Sequence, residues 1–176
     1  AVAEYRQAGY LPEALVNFLA FLGWHPAPEQ VSAGGLEREI ISREELTELF
    51  DLSRVQKAGA VFNIDKLGWL NAQYLKGLAT EELLKRMQAI VEVPKTLPTK
   101  KITKIVDLVK ERMKKLRDFM ELGDFFFELP DYPPKLLIWK ETPKHKILEN
   151  LKETHKILST APGNEFTKEQ LPNFLN

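Results

Sequence analysis

The sequence predicts an all-α protein, and two observations carry that prediction. Apolar residues recur at every third or fourth position over long stretches, which is the spacing of one face of an α-helix. No stretch alternates apolar and polar residues as a half-buried strand would, and no tandem repeat or low-complexity tract is visible. With 176 residues, of which 44% are hydrophobic, the chain can bury a sizeable core as one domain or as two small helical subdomains.

The composition excludes several classes of site. Acidic and basic residues balance at 25 each, so binding to a polyanion must come from local clusters of charge. The absence of cysteine excludes disulfides and thiolate ligands, and the three histidines form no ligand-pair motif, so we predict no metal site. No apolar run approaches the roughly 20 residues of a membrane span, and no signal-like segment opens the chain. We therefore expect no membrane partner and a cytoplasmic location, with an organellar matrix as the alternative.

The first half of the chain contains two helices with recognisable ends. The segment LPEALVNFLAFLG predicts a helix, because Pro12 suits a first helical turn and Gly23 suits a C-terminal cap. After a loop of prolines and glycines, Ser42 and Glu45 have the spacing of a capping box, which predicts a helix over residues 43–50. The turn-rich connector DLSRVQKAGAVFN follows.

The stretch FNIDKLGWLNAQYLK predicts a third helix, capped by Asn63 or Asp65. At roughly 100° per residue its leucines gather on one side, and a mixed polar and aromatic set gathers on the opposite side. That set is Lys66, Trp69, Gln73 and Lys76. Trp69 is therefore off the core face of its own helix, where either a neighbouring element covers the indole or a partner contacts it.

Thr80 and the two acidic residues after it predict the start of a helix in TEELLKRMQAIVEV. The two prolines of PKTLPTKK interrupt the helical pattern, so we place a linker at about residues 94–99. This linker separates a predicted subdomain over residues 1–93 from a second one over residues 100–176.

The second subdomain is predicted to open with one long helix. Its segment KKITKIVDLVKERMKKLRDFMELGDFFFEL keeps helical spacing, with a predicted break near Gly123. A proline-rich loop, PDYPPKLL, separates it from a helix in KHKILENLKETHKILST, and a last short helix is predicted from Thr167.

No catalytic residue is predicted. The sequence contains neither GxGxxG nor GxxxxGK[ST], and the paired glutamates at residues 44–45 and 81–82 fall in first helical turns, where acids complement the helix dipole. A free-standing hydrolase would need a triad of distant residues, and nothing in the sequence favours one.

The strongest local charge signal is a basic segment from Pro94 to Asp118, which holds nine Lys or Arg against three Asp or Glu. One interpretation is an ordinary solvated helix face. The other is an RNA surface, with lysines facing phosphates and an arginine fork suited to a base edge. An exposed tryptophan would fit such a surface, because single-stranded RNA is recognised partly by the stacking of its bases on aromatic side chains.

Three segments resemble, in order, the C-terminal tRNA-binding half of bacterial and organellar glutamyl-tRNA synthetases. They are YRQAGYLPEALVNFLAFLGW, then EELTELFDLSRVQKAGAVFNIDKLGWLNAQYL, then LVKERMKKLRDF ahead of an aromatic run and DYP. The resemblance covers about Ala3 to Pro133 well. It implies a helical subdomain over residues 1–93 that contacts the tRNA stem, followed over residues 100–176 by the first part of a helical anticodon-binding subdomain of the α-helix cage type.

The resemblance also implies which residues contact RNA. Lys66 and Trp69 fall where the family's KLxW motif contacts tRNA backbone and sugar at the inner corner of the L-shaped molecule. Arg112 falls where discriminating members place an arginine that reads an anticodon cytosine, which separates the tRNAs for glutamate and glutamine. If the alignment slips by one helical turn, Lys110, Lys114 or Lys115 takes that role instead. The predicted RNA-binding set is Lys66, Trp69, Gln73, Lys76, Lys110, Arg112 and Lys115.

The family's parent enzyme is a class I ligase that joins glutamate to tRNA-Glu with ATP and magnesium. Its HIGH-type and KMSKS-type ATP motifs are absent from this sequence, and the chain begins without methionine. We therefore expect an excised, monomeric portion that lacks the catalytic domain, does not aminoacylate alone, and binds tRNA-Glu but not DNA. The alternative is a helical protein–protein interaction module without RNA binding, in which Trp69 and the aromatic run at residues 125–127 dock a partner.

Overall fold

The computed structural model describes residues 1–27, 39–57 and 59–160, and these ranges contain eight α-helices and no strand. The α-helices are α1 (Val2–Ala8), α2 (Pro12–Phe21), α3 (Arg43–Leu49), α4 (Ile64–Gly77), α5 (Thr80–Gln88), α6 (Thr99–Lys110), α7 (Asp118–Gly123) and α8 (Lys144–Thr160). Three 3₁₀ helices accompany them at Leu52–Arg54, Asp124–Phe126 and Pro134–Leu137. The all-α class predicted from the sequence is confirmed. Among the described helices, none combines the length and the apolar composition of a membrane-spanning segment.

The predicted capping signals form the expected hydrogen bonds. The Ser42 hydroxyl accepts a bond from the Glu45 amide at 3.1 Å, and the Glu45 carboxylate accepts one from the Ser42 amide at 2.9 Å. This reciprocal pair is a capping box, and it satisfies amides that the first turn of α3 leaves without a helical partner. Of the two candidate caps for α4, Asn63 is the one that acts: its side chain accepts bonds from two first-turn amides at 2.9 and 3.1 Å.

The prediction of one long helix through residues 100–123 is wrong, because α6 ends at Lys110 and a turn over residues 111–117 precedes α7. We call residues 111–117 the basic turn. The amides of Arg112 and Met113 donate to carbonyls three positions earlier, and one side chain and a distant carbonyl accept from three later amides. The Asp118 carboxylate accepts from the amides of Lys114 and Lys115 at 2.8 and 2.9 Å, and the Leu116 amide donates to the Gly9 carbonyl at 3.0 Å. These bonds replace the helical ones that the spacing of apolar residues predicted.

The main hydrophobic cluster joins α2 and α4–α7. Its fully buried members include Leu75, Leu83, Met87 and Met113, and Phe119 lies among them with no exposed surface. A smaller cluster is centred on Phe18, Leu67 and Leu70. Together the two clusters fix α4 between α2 and the basic turn, which positions the candidate site.

The chain forms two compact units, Ala1–Pro130 and Asp131–Asn176. The first unit contains α1–α7, and the second contains α8. The predicted linker at residues 94–99 lies inside the first unit, where Val93 and Ile102 on its two sides belong to the same hydrophobic cluster. The functional division at residues 94–99 stays a prediction, and the helix predicted from Thr167 lies outside the described residues.

Candidate nucleic-acid interface

Helix α4 carries an exposed aromatic residue opposite its buried face. Leu67, Leu70 and Leu75 are almost completely buried, whereas Trp69 is 45% exposed. Sequence spacing therefore placed the indole correctly, away from the core of its own helix. We call the four residues Lys66, Trp69, Gln73 and Lys76 the α4 stripe; it is about 15 Å long at 1.5 Å per helical residue. An exposed indole beside amines offers a stacking surface next to positive charge.

Both lysines of the α4 stripe pair with a carboxylate. The Lys66 ammonium lies 3.0 Å from the Glu39 carboxylate, and the Lys76 ammonium lies 3.3 Å from that of Glu111. These side chains are all at least about one-third exposed, so each pair contributes little to stability. The pairs do hold the two ammonium groups at defined positions at the ends of the stripe.

The remaining predicted residues lie at the end of α6 and in the basic turn. The half-buried Lys110 donates one of its three ammonium hydrogens to the Leu78 carbonyl, so part of its donor capacity is used within the fold. Arg112 is exposed, and within the described part of the chain its guanidinium group has no hydrogen bond or ion pair. Lys115 is half-buried and Lys114 is exposed. Arg112 is thus the residue whose planar fork of donors is available to a base edge.

The structure places the basic turn directly beside α4. The Asn71 side chain donates to the Lys114 carbonyl at 2.6 Å, and the ion pair between Lys76 and Glu111 links the end of the stripe to the turn. All seven predicted residues therefore belong to one compact unit, and their two groups approach each other at Lys76 and Glu111. Their role in RNA binding stays a prediction.

Sequence reasoning missed three residues of this region. Glu39 and Glu111 were not expected beside the stripe, because each is far along the chain from the lysine that it pairs with. Asn71 was also missed, although one signal was present: it is a polar residue on the leucine side of α4, next to Leu70. A fully buried asparagine requires hydrogen-bond partners, and such a requirement indicates a structural junction.

The described ranges contain no group of three or more His, Asp or Glu side chains that could hold a metal ion. Tyr10, near the α1–α2 junction, is the titratable group of this region with a displaced pKa: burial raises it, and the neighbouring Tyr5 adds to the effect. A tyrosine whose pKa is raised is less readily deprotonated, so Tyr10 is not a candidate catalytic base.

Two protein-family models match the chain. Residues 73–176 match the model described as an anticodon binding domain, and residues 1–69 match that of class I tRNA synthetases (E and Q), catalytic domain. The two matches meet inside α4, between Trp69 and Gln73. The α4 stripe thus has residues on both sides of this boundary.

Curated relatives and solved structures agree with these matches. A glutamate–tRNA ligase of Flavobacterium johnsoniae is 40% identical over 95% of this chain and 34% of its own length. One of Dehalococcoides mccartyi is 37% identical over 91% of this chain and 33% of its own length. The crystal structure of a glutamate tRNA ligase from Elizabethkingia meningosepticum, in complex with its amino acid, has a TM-score of 0.74 and 34% identity over 97% of this chain and 32% of that one. The chain therefore spans about a third of the length of the curated relatives that it matches.

Proposed function

Because this chain belongs to the anticodon-binding-domain family of the glutamate–tRNA ligases, we propose that it is the tRNA-binding part of such a ligase. The proposed parent enzyme is a class I aminoacyl-tRNA synthetase of the cytoplasm that uses ATP and magnesium to attach glutamate to tRNA-Glu. No residue described in this chain is assigned to ATP, to magnesium or to the chemical step. The roles that we propose for this chain are the binding of tRNA and the discrimination between tRNAs. We also propose that it is a monomer.

The observation that carries this proposal is the exposed Arg112 of the basic turn, which the ion pair between Lys76 and Glu111 joins to the α4 stripe. In the proposed complex, Trp69 and Gln73 contact sugar and backbone at the inner corner of tRNA, and Lys66 and Lys76 face its phosphates. Arg112 reads an anticodon base. A bidentate arginine contact favours the right base by about 1–3 kcal/mol, whereas phosphate contacts position the molecule without reading its sequence.

The pairing of Lys110 favours Arg112 over its neighbours as the base reader. Lys110 is bound to the Leu78 carbonyl, which uses one of the three donors of its ammonium group and holds that group at the end of α6. An ammonium group is also a point charge, whereas a guanidinium presents two parallel donors. Lys110 and Lys115 are therefore assigned to the phosphates around the base that Arg112 reads.

The test of the proposed function is tRNA binding across a salt series. The chain has no net charge, so binding must come from the local cations. Each phosphate that they neutralise contributes about −0.7 to −0.9 to the slope of log affinity against log salt. Lys66→Ala should make this slope less steep by about 0.7–0.9, the contribution of one phosphate contact. Lys85→Ala, which removes an exposed lysine of α5 outside the predicted site, is the matched control and should leave the slope unchanged.

Two results would refute this proposal. One is the absence of tRNA binding by the chain even at low salt. The other is an equal loss from Lys66→Ala and Lys85→Ala, which would indicate attraction to any cation. Either result would favour the protein-interaction alternative, for which the exposed rings of Phe125 and Phe126, tilted by 33° with centroids 4.3 Å apart, are the first surface to examine.

A further inference from the structure

Asn71 is one of two fully buried polar side chains among the residues that the structure describes; Asn17 is the other. Its carboxamide bridges two distant parts of the chain. The side-chain oxygen accepts from the Leu11 amide at 2.8 Å, and the side-chain nitrogen donates to the Lys114 carbonyl at 2.6 Å. Burying an amide is costly unless its groups are hydrogen-bonded, and here both ends of the side chain are bonded.

Both partners of Asn71 lead to the same junction. Leu11 follows the tight connection between α1 and α2, whose Gly9 carbonyl accepts from the Leu116 amide at 3.0 Å. The Arg117 side chain donates to the Gln7 carbonyl in the last turn of α1. The basic turn is therefore fixed to the end of α1 and the α1–α2 connection by one backbone hydrogen bond and one bond from the Arg117 side chain, and to α4 by Asn71.

We propose that Asn71 is a positioning residue for anticodon discrimination: it holds the basic turn, and with it the Arg112 guanidinium, at a fixed place relative to the α4 stripe. This inference rests on the proposed function. Asn71 has no exposed surface and so cannot contact tRNA itself. It acts through geometry, because two parallel hydrogen bonds to one base edge tolerate little misplacement of the fork that donates them.

Asn17 provides a matched control. It is the other buried asparagine, and it also holds a chain connection: its side chain accepts from the Ile41 amide at 2.9 Å and from the Tyr74 hydroxyl at 2.8 Å, and it donates to the Glu39 carbonyl at 3.1 Å. These bonds fix the start of α3 and link it to α4 through Tyr74, and none of them reaches the basic turn. Asn17→Ala and Asn71→Ala therefore remove similar buried networks at two different junctions.

The experiment compares the preference for tRNA-Glu over tRNA-Gln, using unmodified transcripts and the complete chain. Arg112 is expected to give the wild type a preference of roughly 5- to 150-fold. Asn71→Ala should reduce it to within about threefold of no preference, while Asn17→Ala should keep the wild-type ratio. Asn71→Ser, whose short side chain cannot span both partners, is the second variant if Asn71→Ala does not fold, and the same loss is expected of it.

Amide hydrogen exchange without RNA measures the positioning itself. Asn71→Ala should accelerate exchange at Leu11 and Leu116, whereas Asn17→Ala should accelerate it at Ile41. If the wild type shows a preference that Asn71→Ala and Asn71→Ser retain, the inference is wrong and the proposed function stands. If the wild type shows no preference between the two tRNAs, the anticodon role of Arg112 fails, and the inference fails with it.

Discussion

Gly9 is the residue at which the addition of one methyl group should damage the first unit. Its φ of 94° lies in the left-handed region, and a Cβ atom there would lie 2.8 Å from the Leu116 nitrogen and 3.0 Å from the Arg117 nitrogen. A strained backbone costs about 1–3 kcal/mol, and losing the hydrogen bond from the Leu116 amide adds about 0.5–1.5 kcal/mol. We expect Gly9→Ala to lower the free energy of unfolding by about 2–4 kcal/mol.

Urea denaturation followed by tryptophan fluorescence measures this loss. Trp24 and Trp69 report on the first unit, and replacing Trp139 by phenylalanine in every variant removes the signal of the second unit. Gly77→Ala is the matched control, because a Cβ added at this helical position meets no described atom within 4 Å. It should be neutral or stabilise by up to about 1 kcal/mol. A Gly9→Ala midpoint equal to that of the wild type would refute the reasoning.

Two further substitutions test local interactions. Ser42→Ala removes one half of the capping box with Glu45 and should cost about 1 kcal/mol of stability in the same urea assay; no change would mean that the cap is not needed. The hydrogen bond from Arg86 holds the pKa of Glu82 below its ordinary value of 4.5, so Glu82 stabilises the fold above pH 4.5 and loses this effect as the pH falls through its folded-state pKa. In Glu82→Gln, stability should therefore fall less steeply with decreasing pH below pH 4.5, and its pH dependence near neutrality should stay that of the wild type. Thermal unfolding across the pH range measures this, and a melting temperature that falls below pH 4.5 as steeply as in the wild type would contradict the assignment.

The elements that the sequence predicted well depend on neighbouring residues. The capping box of Ser42 and Glu45 spans four positions, and the cap at Asn63 needs only the amides of the next turn. The end of α6 at Lys110 could not be predicted in the same way. It depends on Gly9 and Asn71, whose bonds to the basic turn cross more than 40 positions of sequence, and apolar spacing alone continues through that turn as if it were helix.

In the candidate site too, the features that depend on neighbouring residues were predictable, and those that depend on tertiary structure were not. Helical spacing predicted the exposure of Trp69, because the direction of a side chain around a helix follows from position alone. The pairing of Lys66 with Glu39 and of Lys76 with Glu111 depends on tertiary structure, and so does the bond that occupies Lys110. Position on a helix thus indicates which cations are exposed, while the folded chain decides which groups each of them contacts.

The most direct test of the proposed tRNA-binding role compares the binding of tRNA-Glu and tRNA-Gln by the wild type, Trp69→Ala and Arg112→Gln at one salt concentration. Trp69→Ala should weaken both complexes equally, by up to about 1–3 kcal/mol, the range that stacking on an aromatic side chain contributes in nucleic-acid complexes. Arg112→Gln should mainly remove about 1–3 kcal/mol of preference for tRNA-Glu. Unchanged affinity in Trp69→Ala, together with an unchanged preference in Arg112→Gln, would contradict the assignment of both residues to tRNA.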